Sequence, residues 1–130
     1  MEQSRIHAVE HVHMETLASL EEELIWFYGE LSGLDLISSW SEGGSEETPQ
    51  LRFKSAKLEL RLKPVEHPRV DAVARRLTLV VPSIAEVEEQ LDERGIPFDR
   101  ITGLSGGEHV VMVLDPTGHR VLFKQESPRL

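Results

Sequence analysis

His11 and His13 are the first residues of the chain whose types and spacing suggest chemistry. They lie two apart in a run, Ile6 to Thr16, where Ala8, Val12 and Met14 alternate with His7, Val9, His11, His13 and Glu15, and Glu10 interrupts the apolar side. A strand sends alternate side chains to opposite faces, so both imidazoles point the same way. Such a pair serves either as two ligands of a metal or as part of a polar wall bonded to water or a neighbouring acid. A second signal is cationic. Between Ala56 and Lys63, Leu58, Leu60 and Leu62 alternate with Lys57, Glu59, Arg61 and Lys63. If the leucines pack beneath helices, then Arg52, Lys54, Lys57, Arg61, Arg76, Arg120 and Lys124 share the opposite face, half of the 14 Lys and Arg residues. A guanidinium grips a carboxylate or phosphate through two parallel hydrogen bonds, so this face reads as a pocket for a small anion. The competing reading is a solvated face on which Glu15 and Glu59 neutralise the cations by cross-strand ion pairs.

Composition narrows the field. The 130 residues suffice for one domain with its own core. The absence of cysteine excludes disulfide frameworks, thiolate zinc sites, iron–sulfur clusters and cysteine nucleophiles. With 23 Asp and Glu against 14 Lys and Arg, the net charge of −9 argues against nucleic acid as a partner. No apolar run approaches the ~18–20 residues of a membrane span. Met1 to Arg5 lacks the cationic and apolar segments of a secretory signal, so the expectation is a soluble, cytoplasmic protein without membrane partners.

The elements that must position these residues follow from hydrophobic period. After the first strand, Leu17, Leu20, Leu24, Phe27, Tyr28 and Leu31 fall at helical spacing, with Glu21, Glu22, Glu23 and Glu30 on the wet side and Gly33 as a stop. Leu34 to Trp40 follows, then a polar stretch from Ser41 to Gln50 read as a mobile loop. Leu51 to Lys54 and Ala56 to Lys63 are predicted strands, and Pro64 and Pro68 bracket a linker. The pattern then restarts. Arg76 to Val81 alternates as a strand, and Ser83 with Glu86 forms a capping box before the stripe Ile84, Val87 and Leu91, which Gly95 closes. Pro97 to Ile101, His109 to Leu114 and Arg120 to Gln125 are three further strands. Two strand–helix–three-strand units thus account for nearly the whole chain. Trp26 and Trp40 are assigned to core or interface packing, and His7, His67, His109 and His119 to surface or turn positions.

These residues also resemble a known family. The run Val9-Glu10-His11-Val12-His13-Met14, and a helix containing Phe27, Tyr28, Leu31, Gly33 and Leu34, resemble the opening of the glyoxalase, bleomycin-resistance and extradiol-dioxygenase (vicinal oxygen chelate) superfamily. Ser32 stands as an insertion where that family often has none. The stretch Leu114-Asp115-Pro116-Thr117-Gly118-His119 resembles its Asp-Pro-x-Gly-Asn turn before the last strand, and Gly95-Ile96-Pro97 a common turn after the second helix. The resemblance implies an α+β fold of two βαβββ modules whose curved sheets form a cup, commonly completed by dimerisation. Here that is a single glyoxalase-like domain over 1–130, with modules at about 5–63 and 75–125 and a linker at 64–74.

The resemblance further implies a divalent metal held by the first and last strand of each module. His11 and Glu59 occupy two of those places. Arg76 and Leu122 stand in the other two, where histidine or glutamate is usual. A guanidinium ~5 Å from a divalent cation would be repelled by about 6–7 kcal/mol at an effective dielectric of ~20. The expectation is therefore a degenerate metal site, no cofactor, and a cup that binds a small, anionic organic molecule. Arg61, Arg76, Val80, Arg120 and Leu122 are the expected ligand-binding residues, with the acid group on Arg76 and the ligand body against Leu122. The alternative is a metal-dependent lyase, isomerase or dioxygenase that holds Zn, Fe, Mn or Ni through His11, His13 and Glu59. A third reading is a structural or regulatory homodimer without ligand. Exposed sheet edges and the family habit both point to a homodimer.

Overall fold

A computed structural model describes residues 10–40, 50–70, 77–102 and 109–126. Its strands are β1 (Glu10–Thr16), β2 (Asp35–Ser38), β3 (Leu51–Lys54), β4 (Leu58–Pro64), β5 (Leu77–Val81), β6 (Asp99–Thr102), β7 (His109–Leu114) and β8 (Arg120–Gln125). They form two four-stranded sheets, ordered β1-β4-β3-β2 and β5-β8-β7-β6. In each sheet the first strand runs parallel to the last, β1 with β4 and β5 with β8, and the other pairs are antiparallel. The architecture is α+β with two βαβββ modules, as the two changes of period predict. All but Gln50 of the predicted loop from Ser41 to Gln50, the start of the first strand and Arg76 lie outside the described residues.

Alternation places the core where the sequence puts its apolar residues. Leu58, Leu60 and Leu62 of β4 and Leu51 and Phe53 of β3 are buried, as are Leu77, Leu79 and Val81 of β5. Leu24, Phe27, Tyr28 and Leu31 cover the first sheet, and Ile84, Val87 and Leu91 cover the second, all in one continuous cluster. Phe27 also reaches Phe123 of β8, with ring centroids 5.9 Å apart, so the first helical segment packs against both modules.

The first helical segment is less regular than its period predicts. A 3-10 turn (Ala18–Leu20) leads into α1 (Glu21–Ile25) and then a π-helical stretch (Trp26–Leu31). Ser32 closes this stretch, donating from both its backbone N–H (3.2 Å, an i→i+5 bond) and its Oγ (2.7 Å) to the Phe27 carbonyl. Gly33, at φ +82°, then turns the chain out. The second helix, α2 (Ile84–Glu93), is capped by Ser83 Oγ, which accepts from Glu86 N–H at 3.2 Å. It ends in a Schellman motif, with Ile96 N–H on the Leu91 carbonyl and Gly95 N–H on Asp92.

Two boundaries shift. Ala56 and Lys57 belong to the turn into β4, where Ser55 N–H bonds the Leu58 carbonyl at 2.8 Å, so Lys57 precedes the strand it was assigned to. Pro97 precedes β6 instead of opening it. Proline has no N–H for the ladder, and Ile96 and Phe98 on either side of it pack against the core.

Candidate functional site

The site is built on the faces turned away from the helices. His11 and His13 of β1 are both exposed on this side, and register sets His11 beside Glu59 and His13 beside Arg61 on β4. The next strand continues both rows, with Lys54 opposite Glu59 and Arg52 opposite Arg61. Glu59 is the hub. Its Oε2 accepts from Arg52 Nη2 at 2.7 Å and from Arg61 Nε at 3.0 Å, and its Oε1 lies 3.7 Å from His11 Nδ1. The hydrogen bond from Arg52, reinforced by that from Arg61, holds the carboxyl at a pKa of about 2. For these two arginines the ion-pair reading describes the face: both guanidiniums are engaged by the protein's own carboxylate.

A divalent metal does not fit this donor set. Among the described residues no three His, Asp or Glu side chains converge. The one carboxylate beside the histidines already carries two guanidiniums, whose charges would oppose a cation there. Arg76 lies outside the described residues, while Leu122 is half-buried on β8 opposite Thr78 and Met112.

A cavity of about 410 Å³ opens where β1 meets the start of the second module. It is lined by Glu10 to Glu15 of β1, Arg69 of the linker, Leu77 of β5, and His119 and Arg120 at the start of β8. Its size falls within the range of small-molecule sites. Of the residues expected from sequence, His11, His13 and Arg120 line this cavity. Arg61 and Glu59 pair with each other beside it, and Val80, at 59% exposure, sits opposite Lys124. Arg120 differs from Arg52 and Arg61 in its partners. No carboxylate among the described residues pairs with it, and its Nε, like that of Arg52, is buried with no hydrogen-bond partner.

The wall between the modules is held by groups that sequence reasoning placed in turns or in the core. Asp115, buried, accepts at Oδ1 from the backbone N–H groups of Thr117, Gly118 and His119 at 2.8–2.9 Å, and so folds the turn before β8. Its Oδ2 accepts from the Tyr28 hydroxyl at 2.6 Å across the modules. Burial, and then the Asp115 charge, push the phenol pKa well above its ordinary value, so Tyr28 remains a donor. His119 is buried too. Its Nε2 donates to the Glu15 carbonyl at 2.7 Å, which fixes the tautomer because a carbonyl only accepts. Thr16 and Thr117 hydroxyls bond nearby. These contacts set β1 against the start of β8. Arg69, whose N–H bonds Glu15 Oε1 at 2.8 Å, joins the cavity through the linker, and no local spacing signals it.

Comparisons with known proteins agree with this architecture. No protein-family model and no curated protein sequence matches the chain. Solved structures do. A glyoxalase family protein from Bacillus anthracis aligns at 22% identity over 97% of this chain and 100% of its own, with a TM-score of 0.67. An antibiotic binding protein from Streptomyces sp. CB03234 aligns at 23% identity over 96% and 100%, also at 0.67. A member of the glyoxalase/bleomycin resistance protein/dioxygenase superfamily from Sphaerobacter thermophilus aligns at 18% over 93% and 98%, at 0.66. At these identities the likeness is one of fold, and the chain has the glyoxalase-like fold along its length.

Proposed function

We propose that this protein binds a small anionic organic molecule in the cavity between its modules, without a metal. The observation that carries this reading is Arg120, a cation on the cavity wall whose buried Nε has no partner of its own. Leaving a buried donor unpaired is costly, and a carboxylate or phosphate would satisfy it together with the positive charge. Arg76, next in sequence to cavity-lining Leu77, is the second cation assigned to the acid group. A solved structure of the same fold is described as an antibiotic binding protein, which supports a small-molecule binding role. The metal-dependent enzyme built on His11, His13 and Glu59 is less well supported, because Glu59 is taken up by Arg52 and Arg61.

The same reading includes a twofold homodimer, because β2 and β6 leave open edges with Leu36, Ile37 and Ile101 exposed. Light scattering at micromolar concentration should give twice the chain mass, and a monomer mass would count against it.

The binding test is calorimetric titration of the whole chain with carboxylates and their neutral amides, beside mass spectrometry of co-purified molecules. Carboxylates should bind and amides should not. Arg120→Gln should weaken the acids by about 1.5–3 kcal/mol, the value of hydrogen bonds to a charged group. Absence of any acid binding at millimolar concentration would end the proposal.

A further inference from the structure

A second cavity, of about 280 Å³, lies in the second module and is lined by Ile96, Pro97, Phe98, Met112 and Leu114 among others. Arg120 lines this cavity as well as the first. Register explains the placement: Leu114 on β7 is the cross-strand partner of Arg120 on β8, and Met112 is the partner of Asp99 on β6. Leu114 is 52% exposed, an apolar side chain turned to water beside Arg120, whose Nε is buried without a partner and which pairs with no carboxylate among the described residues. The segment Ile96 to Phe98 stays off the β6 ladder because of Pro97, and so forms an apolar wall instead of another strand. Asp99 also lines the cavity and repels a second acid there.

We infer that Arg120 is the specificity-determining residue for an amphipathic monoacid, whose carboxylate it binds while the second cavity takes the apolar body. This rests on the reading of the protein as a binder of organic anions and adds to it the class of ligand. A bare inorganic or short-chain anion satisfies Arg120 but leaves Leu114 in water. A neutral apolar molecule covers Leu114 and leaves the guanidinium unpaired. Only a ligand with both parts meets both demands.

The test is an NMR shift titration of the full chain with four probes: octanoate, octanol, propionate and the dicarboxylate suberate. Octanoate should bind about tenfold or more tightly than each of the other three. Leu114→Asn, on an exposed side chain, should remove the advantage of octanoate over propionate and leave propionate unchanged. Arg120→Gln should make octanoate and octanol equal, with a thermal melt to show that the variant is folded. Equal affinity of wild type for octanoate and propionate, or an unchanged ratio in Leu114→Asn, overturns the inference. In that case Arg120-dependent binding of propionate would leave the broader proposal intact. If no acid binds at all, both fall.

Discussion

Glu59 concentrates the chemistry of the first sheet on one carboxylate. Two guanidiniums reach the same oxygen, and the pKa of about 2 records how strongly the ionised form is preferred. A carboxyl depressed from its ordinary 4.5 to about 2 gives stability that is fully present above the ordinary value and fades as pH falls toward the lower one. The melting-temperature difference between wild type and Glu59→Gln should therefore be constant at neutral pH and shrink from about pH 4.5 toward about pH 2. A difference that does not change over that window would show that the arginines do not hold the carboxyl. At the module junction, Tyr28→Phe removes the hydroxyl bond to buried Asp115 and keeps the ring. The loss should be about 1.5–3 kcal/mol by denaturant unfolding, because the acceptor is charged and has no route to water. Asp115→Asn should cost more, since it also weakens three backbone bonds of the turn.

The two helical segments show how single residues set element boundaries. Gly33 and Gly95 both have positive φ, +82° and +69°, and a Cβ built on either meets nothing within 4 Å. Substitution by alanine is thus penalised by backbone strain and not by crowding. Each change should lower stability by about 1–2 kcal/mol, and asparagine should recover part of that loss. If alanine and asparagine are equally costly, something other than the left-handed conformation is responsible. The π-helical stretch ends at Ser32, whose N–H and Oγ both bond the Phe27 carbonyl. Within it Phe27 faces Phe123 while Tyr28 faces Phe53, at 5.7 Å between ring centroids, so one short segment serves two sheets.

At the scale of the molecule, the modules share a core: Phe27–Phe123, Tyr28–Asp115, Thr16–Thr117 and His119–Glu15 all cross between them. Arg94, following α2, also stacks over the Trp26 ring at 3.9 Å. Unfolding should therefore be a single transition. Both tryptophans, Trp26 and Trp40, lie in the first module, so their fluorescence reports that module while far-ultraviolet circular dichroism reports both. The two curves should coincide in urea. A fluorescence midpoint separated from the dichroism midpoint would mean that the modules fold independently.

The amino-acid sequence by itself determined which residues alternate, where the period changes and where glycine ends a helix. Hence the two βαβββ modules, the buried leucines of β4 and the common face of His11 and His13 were legible in it. These features depend on backbone geometry repeating every few residues. The partners of the charged groups were not legible. Arg52, Arg61 and Arg120 look alike in sequence, and all three fall on the face turned away from the helices. The antiparallel register of β3 and β4 brings Arg52 and Arg61 to Glu59, and a slip of one residue would have turned Arg52 to the other side. Docking of β1 against the turn at Asp115 forms the cavity and leaves Arg120 on its wall without a carboxylate partner among the described residues. Only the tertiary structure decided those outcomes, because register and docking are set by contacts between residues far apart in the chain, which no local period encodes.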